Sequence, residues 1–85
     1  MKALITGGAG FIGSNLVRYL IDGEDCTVLN FDALTYAGNL ASLSDLAEHP
    51  QYKFIQGDIR NPVAIATALT EFQPDVVMHL AAESH

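Results

Sequence analysis

A short apolar run at residues 3–5 feeds directly into TGGAGFIG at residues 6–13 and then into a segment with helical spacing, so the chain opens as strand, glycine turn and helix start. Each glycine then has its own physical task. Gly7 or Gly8 lets the chain turn tightly with positive φ, Gly10 lets the backbone approach a pyrophosphate with no Cβ in the way, and Gly13 lets the helix pack close to the strand. The first N–H groups of that helix have no partner inside it and sit at the positive end of its dipole, which suits a phosphate. A glycine pattern alone also describes an ordinary loop. The second strand-like run, residues 27–31, ends in Asp32, about 20 residues past the last glycine, where a dinucleotide fold places an acid on the adenosine ribose.

The remaining chain repeats the alternation. Ile12, Leu16 and Leu20, with Val17 beside them, predict a helix over residues 11–22 closed by Gly23. Residues 26–31, CTVLNF, read as a buried strand, and residues 32–50 as a connection in which Leu40, Leu43, Leu46 and Ala47 space as a short amphipathic helix ended by Pro50. YKFIQ at residues 52–56 alternates as a third strand. Asn61 and Pro62 form a cap and first-turn proline for a helix with Ile65, Ala68, Leu69 and Phe72 on one face, stopped by Pro74. Val76 to Leu80 is a continuous apolar strand of the kind buried on both faces. Four strands with three crossovers predict an α/β fold: the N-terminal half of a Rossmann-type doubly wound parallel sheet, strand order 3-2-1-4. With 85 residues, the chain is expected to be the N-terminal part of a larger NAD-binding domain, the catalytic and substrate portions lying elsewhere. Strand 4 then presents a long apolar edge.

Composition narrows the function. A net charge of −6, with Lys2, Arg18, Lys53 and Arg60 scattered along the chain, disfavours nucleic acid as a partner. No apolar run reaches the ~20 residues of a membrane span, and the N-terminus lacks the basic and apolar regions of a secretory signal, so a cytoplasmic protein is expected. Cys26, the single cysteine, reads as a small buried residue, and no metal cluster is present.

In open parallel sheets the ligand lies across the carboxyl ends of the strands. Asp32 there suits a ribose diol and repels a 2′-phosphate, which favours NAD over NADP. Asp58 suits an adenine amino group with Ile59 against the ring, or else is a turn aspartate. His79, inside an apolar run, reads as a satisfied core histidine rather than a catalyst. Ala81 and Ala82 are small where a nicotinamide ring approaches, and Glu83, Ser84 and His85 are polar groups at the mouth. Tyr19, Tyr36 and Tyr52 each lack a lysine four residues later, so no catalytic residue is assigned.

TGGAGFIG, Asp32, GDI at residues 57–59 and HLAA at residues 79–82 resemble the extended short-chain dehydrogenase/reductases that act on nucleotide sugars. The resemblance spans the whole chain. DALTYAGNLASL at residues 32–43 and AAESH at residues 81–85 are similar to the dehydratases of that family that act on dTDP-glucose, and unlike the UDP-galactose epimerases. The resemblance implies that Gly7, Gly10 and Gly13 shape the pyrophosphate loop, with Phe11 and Ile12 contributing backbone and apolar contacts. It implies further that Asp32, Ala33, Leu34 and Thr35 hold the adenosine ribose, and that Asp58 and Ile59 flank adenine. Leu80, Ala81, Ala82 and Glu83 fall on the nicotinamide side, with Ser84 between cofactor and sugar. Ala33 stands where a lysine is common in the family, which puts in doubt a peripheral charge contact. The implied enzyme is a homodimeric lyase that moves a hydride from the sugar to NAD, eliminates water and returns the hydride, giving a 4-keto-6-deoxy sugar. A different nucleotide-sugar epimerase or dehydratase, or a non-catalytic NAD-binding module, are the alternatives.

Overall fold

The computed structural model describes residues 1–7, 11–32 and 44–80. They form β1 (Lys2–Thr6), α1 (Phe11–Arg18) running into a π turn (Tyr19–Gly23), β2 (Thr27–Asp32), β3 (Tyr52–Gln56), α2 (Pro62–Phe72) and β4 (Val76–His79). The four strands make one parallel sheet in the order β3-β2-β1-β4, as the alternation of strands and crossovers predicts. Registers run Thr6 against Phe31 and His79, and Asp32 against Gln56, so four strand ends share one rim.

Alternation along the strands divides the core into two layers. Ala3, Ile5, Val28 and Tyr52 meet Val17, Leu20 and Ile21 from the first helical segment, with Cys26 and Leu46. On the opposite face Leu4, Leu29 and Phe31 meet Ala68 and Phe72 of α2. Cys26 is buried, in keeping with its reading as a small core residue.

The first helix differs from its predicted form. Ile12 is 72% exposed, and the buried face is Gly13, Ser14, Val17, Leu20 and Ile21. Of the apolar positions seen in the sequence, Val17 and Leu20 are buried and Leu16 packs against the core, while Ile12 turns outward. The π turn widens the helix so that two consecutive residues, Leu20 and Ile21, both enter the core. The helical run closes at Gly23, and the left-handed residue follows two positions later: Asp25 has φ 54°, after which Cys26 N–H donates to Leu20 O at 2.9 Å. Gln51 Nε2 then donates to Asp25 Oδ1 at 3.0 Å and to Cys26 O at 3.3 Å, which ties this turn to the entry of β3.

Of the helix predicted around Leu40 to Ala47, Leu40 and Leu43 lie outside the described residues. Residues 44–46 form a single 3₁₀ turn in which Leu46 is buried, and an Arg18–Asp45 ion pair joins that turn to α1. In α2, Asn61 Oδ1 accepts from Val63 N–H at 3.1 Å and from Ala64 N–H at 3.2 Å, with Pro62 in the first turn. The helix ends at Gln73, φ 52°, directly before Pro74. Lys2 Nζ donates to the last-turn carbonyl of Phe72 at 3.2 Å, placing a cation from β1 at the negative end of the helix. Leu69, expected on the packed face, is exposed, because Ala68 and Phe72 are the pair that meets the sheet.

β4 is not buried on both faces. Val77, opposite Leu4, is 51% exposed, and among the described residues β4 pairs with β1 alone. The apolar run is long enough for a central strand, but a central strand needs neighbours on both sides. No helix among the described residues is long and apolar enough to cross a membrane.

Candidate functional site

The chain leaves each strand at the same rim, and backbone hydrogen bonds stitch the exits together. Gly7 N–H donates to Phe31 O at 3.2 Å, Gly57 N–H to Asp32 O at 3.1 Å, and Leu80 N–H to Thr6 O at 2.9 Å. Gly7 has φ 80°, the positive-φ turn out of β1 that the sequence allows at Gly7 or Gly8; Gly8 lies outside the described residues. At the end of β3, a Cβ on Gly57 would stand 2.6 Å from the Phe31 ring, too close for any side chain. Phe31 thus holds the backbone of the third exit against the sheet.

Asp32 closes β2 with 1% exposure, on the face that carries Val28 and α1. A carboxylate ending the second strand, one strand from the positive-φ glycine, is the residue type that doubly wound folds turn toward a ribose diol. Gly13 is buried in the helix that follows the turn. Ile12, beside it, is exposed and packs on nothing in the core.

Asp58 and Ile59 follow Gly57, both partly exposed. Arg60 holds the Asp58 carboxylate: Nη2 lies 2.7 Å from Oδ2, Nε 3.1 Å from Oδ1, and the Arg60 backbone N–H donates to Oδ1 at 2.8 Å. These side-chain hydrogen bonds, followed by the backbone one, lower the Asp58 carboxyl to about 2.

His79 was expected in the core, yet it is exposed at the rim. Its Nδ1 lies 2.6 Å from the buried Thr6 Oγ1, which also accepts from Leu80 N–H at 3.2 Å. The Thr6 hydroxyl can donate to a bare Nδ1 or accept from Nδ1–H, so the direction of this bond follows the imidazole tautomer. The ring is exposed because β4 is an edge strand and position 79 shares the uncovered face of Val77. Leu80 is half-buried against the α1-side core.

Gly10, Ala33, Leu34, Thr35, Ala81, Ala82, Glu83 and Ser84 lie outside the described residues, as does the side chain of Phe11, which opens α1. Three rim residues escaped the sequence reading: Thr6, Gly57 as a packing requirement, and Arg60. Two of them carried a signal. Thr6 immediately precedes the glycines, and Arg60 stands two residues after an aspartate in a turn, where a side chain can reach back.

A parallel sheet ordered 3-2-1-4, with a positive-φ glycine after its first strand and a buried acid ending its second, defines the dinucleotide-binding half of a doubly wound fold. The chain belongs to the GDP-mannose 4,6 dehydratase family, whose model matches residues 4–85. It is 58% identical over 85 residues to dTDP-glucose 4,6-dehydratase of Salmonella typhimurium, covering 100% of this chain and 24% of that protein. The crystal structure of dTDP-glucose 4,6-dehydratase from Bacillus anthracis in complex with NAD matches with a TM-score of 0.90 and 43% identity, over 95% of this chain and 26% of that one. The Streptomyces venezuelae dTDP-glucose 4,6-dehydratase, also solved with NAD bound, matches with a TM-score of 0.88 and 45% identity, over 100% of this chain and 27% of that one. The chain thus spans about a quarter of the length of the curated relatives it matches. These likenesses agree with the resemblance read from the glycine turn, Asp32 and residues 32–43.

Proposed function

We propose that this chain is the NAD-binding portion of an enzyme that converts dTDP-glucose to dTDP-4-keto-6-deoxyglucose. The observation that carries the cofactor reading is the pairing of Gly7 at φ 80° with the buried Asp32 on the adjacent strand. Gly7 turns the chain out of β1, and the reading gives Gly10 and the first turn of α1, where Gly13 lies, to the pyrophosphate. Asp32 accepts from the ribose hydroxyls, and its charge opposes a 2′-phosphate. Asp58 and Ile59 face the adenine, and Leu80 leads into Ala81, Ala82 and Glu83 on the nicotinamide side, with Ser84 toward the sugar. When bound, NAD supplies a hydride acceptor that can return the hydride later in the same turnover.

The chain's own contribution is to bind and orient. Residues 1–85 are read as the N-terminal part of the NAD-binding domain of a homodimeric cytoplasmic enzyme. The likeness to dTDP-glucose dehydratases supports that substrate over other nucleotide sugars. The test is to incubate the complete encoded protein with NAD and dTDP-glucose and follow the 4-keto-6-deoxy product. Turnover of UDP-galactose in its place would reassign the enzyme to the epimerases, and NAD binding with no turnover of either sugar would leave a binding module.

A further inference from the structure

We propose that Arg60 is a latch on the adenine end of the site, holding the Asp58 carboxylate and releasing it when that carboxylate accepts from the adenine amino group. The proposal rests on the reading of Asp58 as an adenine contact. A carboxylate presents about four lone-pair directions on its two oxygens. Three N–H groups of Arg60 already engage both oxygens, the Nε proton being shared between Oδ1 and Oδ2. Oδ1 receives the Arg60 backbone N–H at 2.8 Å and Nε at 3.1 Å, and Oδ2 receives Nη2 at 2.7 Å and Nε at 3.2 Å. An adenine amino group approaching Asp58 therefore competes with the guanidinium for an acceptor.

The latch is local, because the turn that brings Arg60 back to Asp58 is closed by Asn61 N–H donating to Asp58 O at 2.9 Å. Asn61 in turn caps α2, so the backbone of the latch is fixed at both ends by the sheet and the helix. Only the arginine side chain is free to leave, being 85% exposed. An exposed ion pair of this kind shifts an equilibrium by about fivefold at most, which makes it a modulator that a ligand can displace rather than a barrier. Asp58 exchanges one charge-assisted partner for a neutral amino donor, and the guanidinium regains water.

The experiment measures dissociation constants for the complete encoded protein, its Arg60→Ala and Arg60→Gln variants, and Asp58→Ala with and without Arg60→Ala. The ligands are NAD and an NAD analogue carrying unsubstituted purine, which has no amino group to donate. Removing the arginine should tighten NAD about two- to fivefold, leave the purine analogue unchanged, and have no effect once Asp58 is alanine. Raising the salt should narrow the gap between wild type and variant, because salt screens the exposed ion pair. If Arg60→Ala leaves NAD affinity unchanged or weakens it, or tightens both ligands equally, the latch is wrong while NAD binding stands. If the wild-type protein binds neither ligand, the cofactor reading itself fails.

Discussion

Asp32 ends β2 and Asp58 lies in the turn after the neighbouring β3, yet their surroundings give them different chemistry. Asp32 is buried in the sheet rim, whereas Asp58 is half exposed and bonded to Arg60. Asp32→Ala is expected to weaken NAD binding by about 1.5–3 kcal/mol, the scale of a hydrogen bond to a charged group, while NADP loses less or gains. Dissociation constants for both cofactors check this, and equal losses would reduce Asp32 to a structural role. For Asp58 the expectation is a titration. Its carboxyl carbon, followed by NMR, should titrate with a midpoint of about 2 in the wild type and move up toward the ordinary 3.8 in Arg60→Ala. The sign follows from linkage: a carboxyl lowered by folding adds stability above its unfolded value and loses it as pH falls through about 2. A wild-type midpoint near 3.8 would mean that the Arg60 contacts do not persist in solution.

The connections set the site more than the strands do. β3 reaches the rim only because Gly57 lets the backbone pass against the Phe31 ring, and Asp58 follows directly from that contact. Gly57→Ala forces a carbon into aromatic atoms and is expected to cost about 1–3 kcal/mol of stability, the range for overpacking. Urea midpoints measure it, and Phe31→Leu in the same chain should recover part of the loss by making room. A Gly57→Ala variant as stable as wild type would show that the loop relaxes freely. α1 shows the same dependence on its ends, since the π turn and the left-handed Asp25 decide which side chains of the helix are buried. α2 is better specified by its own residues, with Asn61 and Pro62 starting it and Lys2 closing its carboxyl end from β1.

At the scale of the molecule, the described residues bring four strand exits to one rim, with no tyrosine there suited to act as a base. Tyr52 is buried, receives Asn30 Nδ2 on its hydroxyl at 3.2 Å, and is pushed up by burial, the opposite of what a base needs. Tyr19 lies exposed on the π turn, and Tyr36 lies outside the described residues. Residues 1–85 alone, incubated with NAD and dTDP-glucose, are therefore expected to give no sustained 4-keto product, since a positioned base contributes about 10²–10⁴ in rate. Product above a buffer control would overturn that expectation. The exposed Val77 and the edge of β4, unpaired among the described residues, also predict self-association of residues 1–85, readable by light scattering as a concentration-dependent rise in mass.

The strand order, the glycine turn, the acid at position 32 and the Asn61 cap were legible from the residues because each depends on neighbours within a few positions. Apolar runs separated by helical spacing allow few parallel topologies, and a glycine at positive φ or an asparagine before proline acts within one turn of chain. Burial was less legible. Whether Ile12, Leu69 and Val77 pack or face solvent depends on helix phase and on which strand has a second neighbour, and periodicity alone does not carry either. The Thr6 hydroxyl meets His79 across a sequence separation of 73, a contact created by β1 and β4 becoming neighbours in the sheet. Arg60 meets Asp58 across a separation of two, yet its effect on the site arises only because β3 delivers that turn to the same rim as Asp32.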